Sequence, residues 1–277
     1  METVKIVALV ETTAAKNPLQ RKQGQSLYIE TDKHKILFDL GPDDTFLKNA
    51  NILGIDLKKV DTVILSHGHS DHGGGLKAFL AWNHTANIYV RPDAFLPHYS
   101  RMLRFPVFCG LDTTCKESSQ LIFTGQRTII DKQLYLLSNV SGRRCLPNCN
   151  AFLYEQRGRR RVQDTFTHEQ SLIVKEHGKI ILFCGCAHTG IINIINEVSF
   201  ALGKIPDVVV SEFHLINPVT KKAETTAFLD KLAYNLKKYS CRYYVCHGGR
   251  EAVYQYLADQ IGDSMQELVA GEMIEIV

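Results

Sequence analysis

The segment 66–76 constrains this chain most, because it places three histidines and one aspartate within six positions: His67, His69, Asp71 and His72. An apolar run at 62–65 precedes it and a mostly apolar run at 76–82 follows it, which predicts a strand, a tight loop and a helix. Alternate residues of an extended loop point the same way, so the imidazoles of His67 and His69 should share one side.

Imidazole and carboxylate groups are the usual protein ligands of zinc, iron and manganese. The loop therefore predicts a site for one divalent metal ion or for two close together. The competing interpretation is a polar loop whose histidines only cap the next helix. Scattered histidines rarely reach this spacing at a strand-to-helix junction, which favours the metal site.

At these residues the chain resembles the metallo-β-lactamase superfamily, whose metal motif has this spacing. The resemblance implies an α+β fold, a four-layer αββα sandwich. Runs of predicted strands with interspersed helices are also typical of two sheets covered by helices. We expect residues 1–277 to form a single metallo-β-lactamase-like domain, with an irregular inserted region at about 91–166 that shapes the pocket.

The composition and the net charge limit the classes of partner and the cellular compartment that we expect for this protein. The 277 residues are 45% hydrophobic, enough for a sizeable core, and the net charge of +3 gives no reason to expect a nucleic-acid partner. No apolar stretch is long enough to span a membrane, and the first residues lead into a strand-like run instead of a signal peptide. Together with eight cysteines, expected to be reduced, this predicts a cytoplasmic protein. The sequence leaves a homo-oligomer open.

Further candidate ligands lie near the ends of other predicted strands: His168, Cys186, His188, His214 and His247. For His214 the alternative is a core histidine, because its neighbours Phe213 and Leu215 are apolar. A structural zinc site at Cys145 and Cys149 is a further alternative, although no second cysteine pair has matching spacing. The remaining histidines lie in polar turns and are expected to be solvated: His34, His84, His98 and His177.

The resemblance also implies roles for these residues. Asp39 matches the superfamily's strand-end aspartate and would orient a ligand histidine from behind. The metal ligands would be His67, His69, Asp71, His72, His168 and His247, joined by Cys186 or His188. The superfamily's bridging aspartate is absent, because the corresponding turn reads Gly-Cys-Ala-His at 185–188. A Cys186 thiolate would favour zinc, whereas an all-nitrogen and oxygen site would leave iron or manganese open.

Shorter segments resemble one branch of the superfamily, named for the 7,8-dihydropterin-6-methyl-4-(β-D-ribofuranosyl)aminobenzene 5′-phosphate synthase. They are residues 9–13, 26–30, 168–172, 185–194 and 213–215. The branch name does not determine the substrate or whether a pterin is involved.

The resemblance as a whole implies a metal-dependent hydrolase, or a related condensing enzyme, that uses a metal-activated water on a phosphorylated small molecule. Asp71 would hold that water, and His214 would donate a proton or contact a phosphate. The backbone at Thr189 and Gly190 begins a helix and would suit a phosphate. Arginines would line the rim: Arg143, Arg144 and the run at 157–161, which as an alternative is only a solvated loop.

Two rival interpretations remain open. A di-iron redox enzyme of the same fold would contain iron and consume oxygen, although it usually needs a flavin domain and none is visible. A non-catalytic, metal-dependent ligand sensor would bind a small molecule tightly without turnover. The intact metal motif argues against the sensor.

Overall fold

A computed structural model describes residues 3–102, 105–217, 219–246 and 251–277. The strands are β1 (Val4–Val10), β2 (Ser26–Glu30), β3 (Lys35–Phe38), β4 (Thr62–Ile64), β5 (Asn87–Val90), β6 (His98–Met102), β7 (Phe105–Phe108), β8 (Leu121–Phe123), β9 (Arg127–Ile129), β10 (Leu134–Ser138), β11 (Leu153–Arg157), β12 (Arg160–Gln163), β13 (Gln170–Glu176), β14 (Lys179–Phe183), β15 (Val208–Ser211), β16 (Arg242–Val245), β17 (Met265–Glu267) and β18 (Met273–Ile276). The α-helices are α1 (Thr45–Ile52), α2 (Ser70–Gly73), α3 (Leu76–Trp82), α4 (Ile191–Leu202), α5 (Thr226–Leu236) and α6 (Glu251–Ile261).

Two seven-stranded sheets form the middle of the molecule. Their strand orders are β18-β1-β2-β3-β4-β5-β8 and β17-β16-β15-β14-β13-β10-β9. Strands β3, β4, β5 and β8 run parallel, as do β14 to β17, whereas the remaining neighbours are antiparallel. Side chains that follow neighbouring parallel strands meet at one edge of a sheet, which is where the candidate ligands lie.

Strand β3 shows why the sheets need cover on both faces. Its side chains alternate, so that Ile36 and Phe38 enter the core between the sheets while Leu37 packs outward. The Phe38 ring lies 5.9 Å from the Phe183 ring of the opposite sheet.

Helices α1 and α3 cover the outer face of the first sheet with Phe46 and Phe79, and the second sheet packs against α4, α5 and α6. The predicted four-layer αββα sandwich is confirmed.

Residues 91–166 contain a third sheet, antiparallel and four-stranded, in the order β12-β11-β6-β7. The region at about 91–166 was expected to be irregular, yet β11 and β12 form a hairpin within it. The hairpin was missed because β12 is exposed along its whole length and has no apolar alternation. Arg157, one of the arginines expected at the rim, pairs with Glu155 and Asp93 at 2.9 and 3.2 Å.

In the described ranges, the helices are all too short or too polar to cross a lipid bilayer.

Candidate metal centre

Asp39 organises the first histidine loop. It follows β3, which pairs in parallel with β4 directly before the loop, and its backbone is left-handed with φ 62°. This conformation is unusual for a non-glycine residue and aims the carboxylate back into the loop. Oδ1 accepts a hydrogen bond from the Ser66 amide, and Oδ2 accepts from Ser66 Oγ and His72 Nδ1, each at 2.7 Å.

These hydrogen bonds determine which nitrogen each histidine can offer. The single Ser66 hydroxyl hydrogen goes to Asp39, so Ser66 Oγ accepts from His67 Nδ1 at 2.8 Å. With the proton on Nδ1, the free lone pair of His67 is on Nε2. The same reasoning gives His72 a lone pair on Nε2, which lies 3.1 Å from Cys186 Sγ.

The second loop follows β14 and packs directly on the first. A Cβ at Gly185 would lie 2.3 Å from Ser66 Oγ, so only glycine allows this approach. His188 Nδ1 lies 3.0 Å from Asn150 Oδ1 and, facing an amide oxygen, has to donate. The lone pair of His188 is therefore on Nε2 as well. Phe166 stacks on the His188 ring at 4.5 Å and restricts its rotation.

The two loops, together with His214 after β15, bring candidate ligand atoms together in overlapping groups, each within 4.8 Å. The groups are His67, His69 and His188; His67, His72 and Cys186; and Cys186, His188 and His214. The Nε2 atoms of His67 and His188 are buried and have no hydrogen-bond partner among the described residues. Buried polar atoms are rarely left unsatisfied, and neutral imidazole lone pairs are what a divalent cation requires. The donor set therefore fits a metal.

Burial gives the histidines the protonation state that a metal needs. It lowers the pKa of His67 and of His188 well below the ordinary value, and the neighbouring histidines add to the effect. These imidazoles are neutral at pH 7 and do not lose a proton to bind a cation. Burial, followed by the charges of Glu212 and Asp71, raises the pKa of the Cys186 thiol well above its usual range. A thiolate at Cys186 therefore requires a cation to replace its proton.

A cavity of about 250 Å³ opens onto these groups. The half-buried Asp71 lines it together with His214, whose ring lies 4.3 Å from that of His188. Ser100 of β6 and Leu153 of β11 also line it, so the third sheet forms part of its wall.

His168 and His98 lie together beside this centre. They form a buried group with His69 and Asp164, and their ligand atoms lie within 4.8 Å. The expectation that His98 is solvated is wrong, because β6 carries its side chain into the interior between Asp164 and the Asp93 carbonyl. The expectation for His34 is also wrong, since it is half-buried between Asp61 and Asp131. His84 and His177 are exposed.

The phosphate contact expected at Thr189 and Gly190 stays a prediction, and the donors of both residues are engaged within the protein. The buried Glu169 carboxylate accepts from the amides of His188 and Thr189 at 2.7 and 2.9 Å, and from the Thr189 hydroxyl at 2.6 Å. The Gly190 amide donates to the Ala187 carbonyl at 2.8 Å.

Several other predicted residues lie outside this centre. Arg143 and Arg144 are exposed and are not among the residues that line the cavity. Cys145 and Cys149 belong to no group of candidate metal ligands in the part of the chain that the structure describes. His247 falls outside the described residues.

Sequence reasoning missed four residues that the structure places around the centre: His98, Asn150, Asp164 and Glu169. One signal was available, because Asp164 precedes His168 by four residues and Glu169 follows it directly. No pattern connected His98 or Asn150 to the site, since both belong to the region expected to be irregular.

The chain is similar to known proteins along most of its length. The family model of the metallo-β-lactamase superfamily matches residues 19–131. The chain is 26% identical to the 7,8-dihydropterin-6-methyl-4-(β-D-ribofuranosyl)-aminobenzene-5′-phosphate synthase of Methanocaldococcus jannaschii, over 99% of this chain and 97% of that protein. It is 30% identical to an uncharacterized protein of the same organism, over 76% of this chain and 79% of that protein. A crystal structure described as a metal-dependent hydrolase of the β-lactamase superfamily is 26% identical, with a TM-score of 0.82 over 99% of both chains.

Proposed function

Because the chain belongs to the metallo-β-lactamase superfamily, we propose that it is a metal-dependent hydrolase, or a related condensing enzyme, acting on a phosphorylated small molecule. One observation carries this proposal. The buried Nε2 atoms of His67 and His188 lack hydrogen-bond partners among the described residues, in a cluster whose members His69 and His188 line a cavity with Asp71.

The residues that would hold the metal are His67, His69, His72, Cys186 and His188. A site that combines imidazoles with a thiolate favours zinc, with iron or manganese as the alternatives. When bound, a divalent cation supplies a water of lowered pKa, near 7, and polarises the electrophile.

The chain's own groups would then handle the protons. Asp71 has a carboxylate at the cavity wall that can hold the attacking water and accept its proton. His214 lines the same cavity and would return a proton to the leaving group. Asp39 orients His72 directly and His67 through Ser66, which keeps their Nε2 lone pairs directed inward.

The names of the relatives and the size of the cavity support the proposed substrate class. The synthase relative has a phosphate ester in its printed name, and the solved relative is described as a hydrolase. A cavity of about 250 Å³ suits the reacting part of a small molecule better than a polymer. The eight cysteines are all free, in keeping with a cytoplasmic enzyme.

Metal analysis combined with a substrate screen tests the proposal. Purified protein should contain zinc and should turn over at least one member of a panel of phosphodiesters, phosphomonoesters, lactones and thioesters. H67A and H188A should lose both metal and turnover, whereas H84A, which changes an exposed histidine, should keep both. Full metal content and activity in H67A would refute the proposal.

The same measurements distinguish the proposed hydrolase from the two rival interpretations, the di-iron redox enzyme and the ligand sensor. Iron with oxygen consumption would indicate the redox enzyme. Tight binding of a panel member without turnover by the metal-loaded protein would indicate the sensor.

A further inference from the structure

Asp164 is a buried carboxylate surrounded by donors. Its Oδ1 accepts from the Phe166 amide at 2.7 Å, and His168 Nε2 lies 3.2 Å from both carboxylate oxygens. His98 Nδ1 lies 3.0 Å from Oδ2, and His69 Nε2 lies 3.8 Å from the same oxygen. These histidines come from three separate parts of the chain: the first loop, β6 and the turn before β13.

The hydrogen bonds of His168 show that this group is not a second metal site. The Gly68 amide donates to His168 Nδ1 at 2.9 Å, and an amide can only donate. Neutral His168 therefore carries its proton on Nε2, where it donates to Asp164. Neither ring nitrogen retains a lone pair for a cation.

His98 supports the same conclusion. Its Nε2 lies 3.2 Å from the Asp93 carbonyl oxygen and its Nδ1 faces the Asp164 carboxylate, so both nitrogens face acceptors within the protein. The cluster is a hydrogen-bond network centred on Asp164.

We propose that Asp164 and His168 are a positioning pair that sets the geometry of the first histidine loop, and that His168 is not a metal ligand. His168 connects Asp164 to the first histidine loop, because it donates to the Asp164 carboxylate and accepts from the Gly68 amide. Gly68 lies in the chain between His67 and His69. Asp164 also faces His69 Nε2. An oxygen acceptor there favours the proton on Nε2, so His69 offers Nδ1 to the metal, in contrast to His67, His72 and His188.

This inference rests on the proposed metal centre and departs from the role that the superfamily resemblance implied for His168. It predicts that His168 affects metal binding through the hydrogen bond that its Nδ1 accepts from the Gly68 amide. An asparagine at position 168 keeps an acceptor near the Nδ1 position but is a poor metal ligand, so H168N separates the two roles.

Metal affinity measured by chelator competition, with zinc as the probe and stoichiometry by elemental analysis, tests the pair in the full-length protein. H168N should keep the wild-type stoichiometry and bind within about threefold of wild type, whereas H168A should bind more than about 10-fold more weakly. D164N should weaken binding by about 10- to 100-fold without losing an equivalent of metal. Loss of one equivalent in H168N would overturn the proposal.

The matched control is E155Q. Glu155 is also a buried carboxylate, but it binds Arg157 and Thr165 and no histidine. E155Q should bind zinc like wild type. Wild-type affinity in a folded D164N protein would count against the role of Asp164.

A second readout does not depend on mutants or on turnover. In the zinc-loaded full-length chain labelled with ¹⁵N-histidine, His168 should show a protonated Nε2 and no metal-bound nitrogen. A metal-bound nitrogen in His168 would overturn the proposal even if D164N failed to fold. A wild-type chain that binds no zinc would defeat the proposed function instead, and the His168 tautomer would remain measurable.

Discussion

The Oδ2 atom of Asp39 lies 2.7 Å from Nδ1 of His72, and both side chains are fully buried. The same carboxylate binds the amide and hydroxyl of Ser66, which in turn holds His67 Nδ1. One carboxylate thus determines the ring orientation and tautomer of two histidines on the first loop.

D39N should therefore weaken metal binding by about 10- to 100-fold, because the amide nitrogen of asparagine donates hydrogen bonds and cannot accept one from His72 or from Ser66. The dissociation constant for zinc, measured by chelator competition, checks this. The control is D44N, which changes a carboxylate that is half exposed and pairs with Lys48. If D39N and D44N bind zinc equally, Asp39 does not orient the ligands.

The superfamily resemblance implies that Cys186 replaces the bridging aspartate, and the Sγ of Cys186 lies 3.1 Å from His72 Nε2. We expect C186D to bind metal within a few-fold of wild type and C186A to bind at least about 10-fold more weakly. With cobalt(II) as the probe, the sulfur-to-metal charge-transfer band should disappear in both variants.

C184A is the control for the cobalt experiment, because Cys184 is also buried but belongs to a hydrophobic core. It should retain the charge-transfer band. A band that persists in C186A would show that Cys186 does not bind the metal.

His34 should make stability depend on pH. Burial alone would lower its pKa, but hydrogen bonds and charges from Asp131 and Asp61 raise it above the ordinary 6.5. Because the folded pKa exceeds the unfolded one, the stabilisation is complete below about pH 6.5 and is lost as the pH rises through the folded value.

H34Q should thus lower the melting temperature at about pH 5.5 and have little effect at about pH 9. The free-energy difference should be below about 1 kcal/mol, because the ion pairs are partly exposed. The exposed-site variant H84Q should show no such pH dependence. A larger decrease of the melting temperature of H34Q at high pH than at low pH would contradict a raised pKa of His34 in the folded protein.

Phe183 joins the two sheets through its contact with Phe38 and is fully buried. F183A should reduce the free energy of unfolding by about 3–5 kcal/mol, since it removes buried apolar surface and leaves a cavity. Urea denaturation measures this. F200A, which removes a ring that is 82% exposed, should change stability by less than about 0.5 kcal/mol. Similar losses of unfolding free energy in F183A and F200A would show that Phe183 is not part of the core that stabilises the fold.

Local patterns in the sequence were sufficient to predict the strands and helices that depend on residues close together in the chain. The strand and the helix on either side of the first histidine loop were predicted from the apolar runs at 62–65 and 76–82, and β4 and α3 lie there. The superfamily resemblance then predicted the four-layer sandwich, because the metal motif is specific to one fold.

The tertiary structure alone decided which side chains meet. Asn150 reaches His188 across 38 residues, and His98 reaches Asp164 across 66. Both contacts depend on the region of the third sheet, in which the strands β7 and β12 are exposed and lack the periodicity of a buried strand. Likewise, Glu169 occupies the amides that a helix start would otherwise offer to a phosphate. Periodicity assigns a residue to a face, but a hydrogen bond depends on distances near 3 Å that only packing sets.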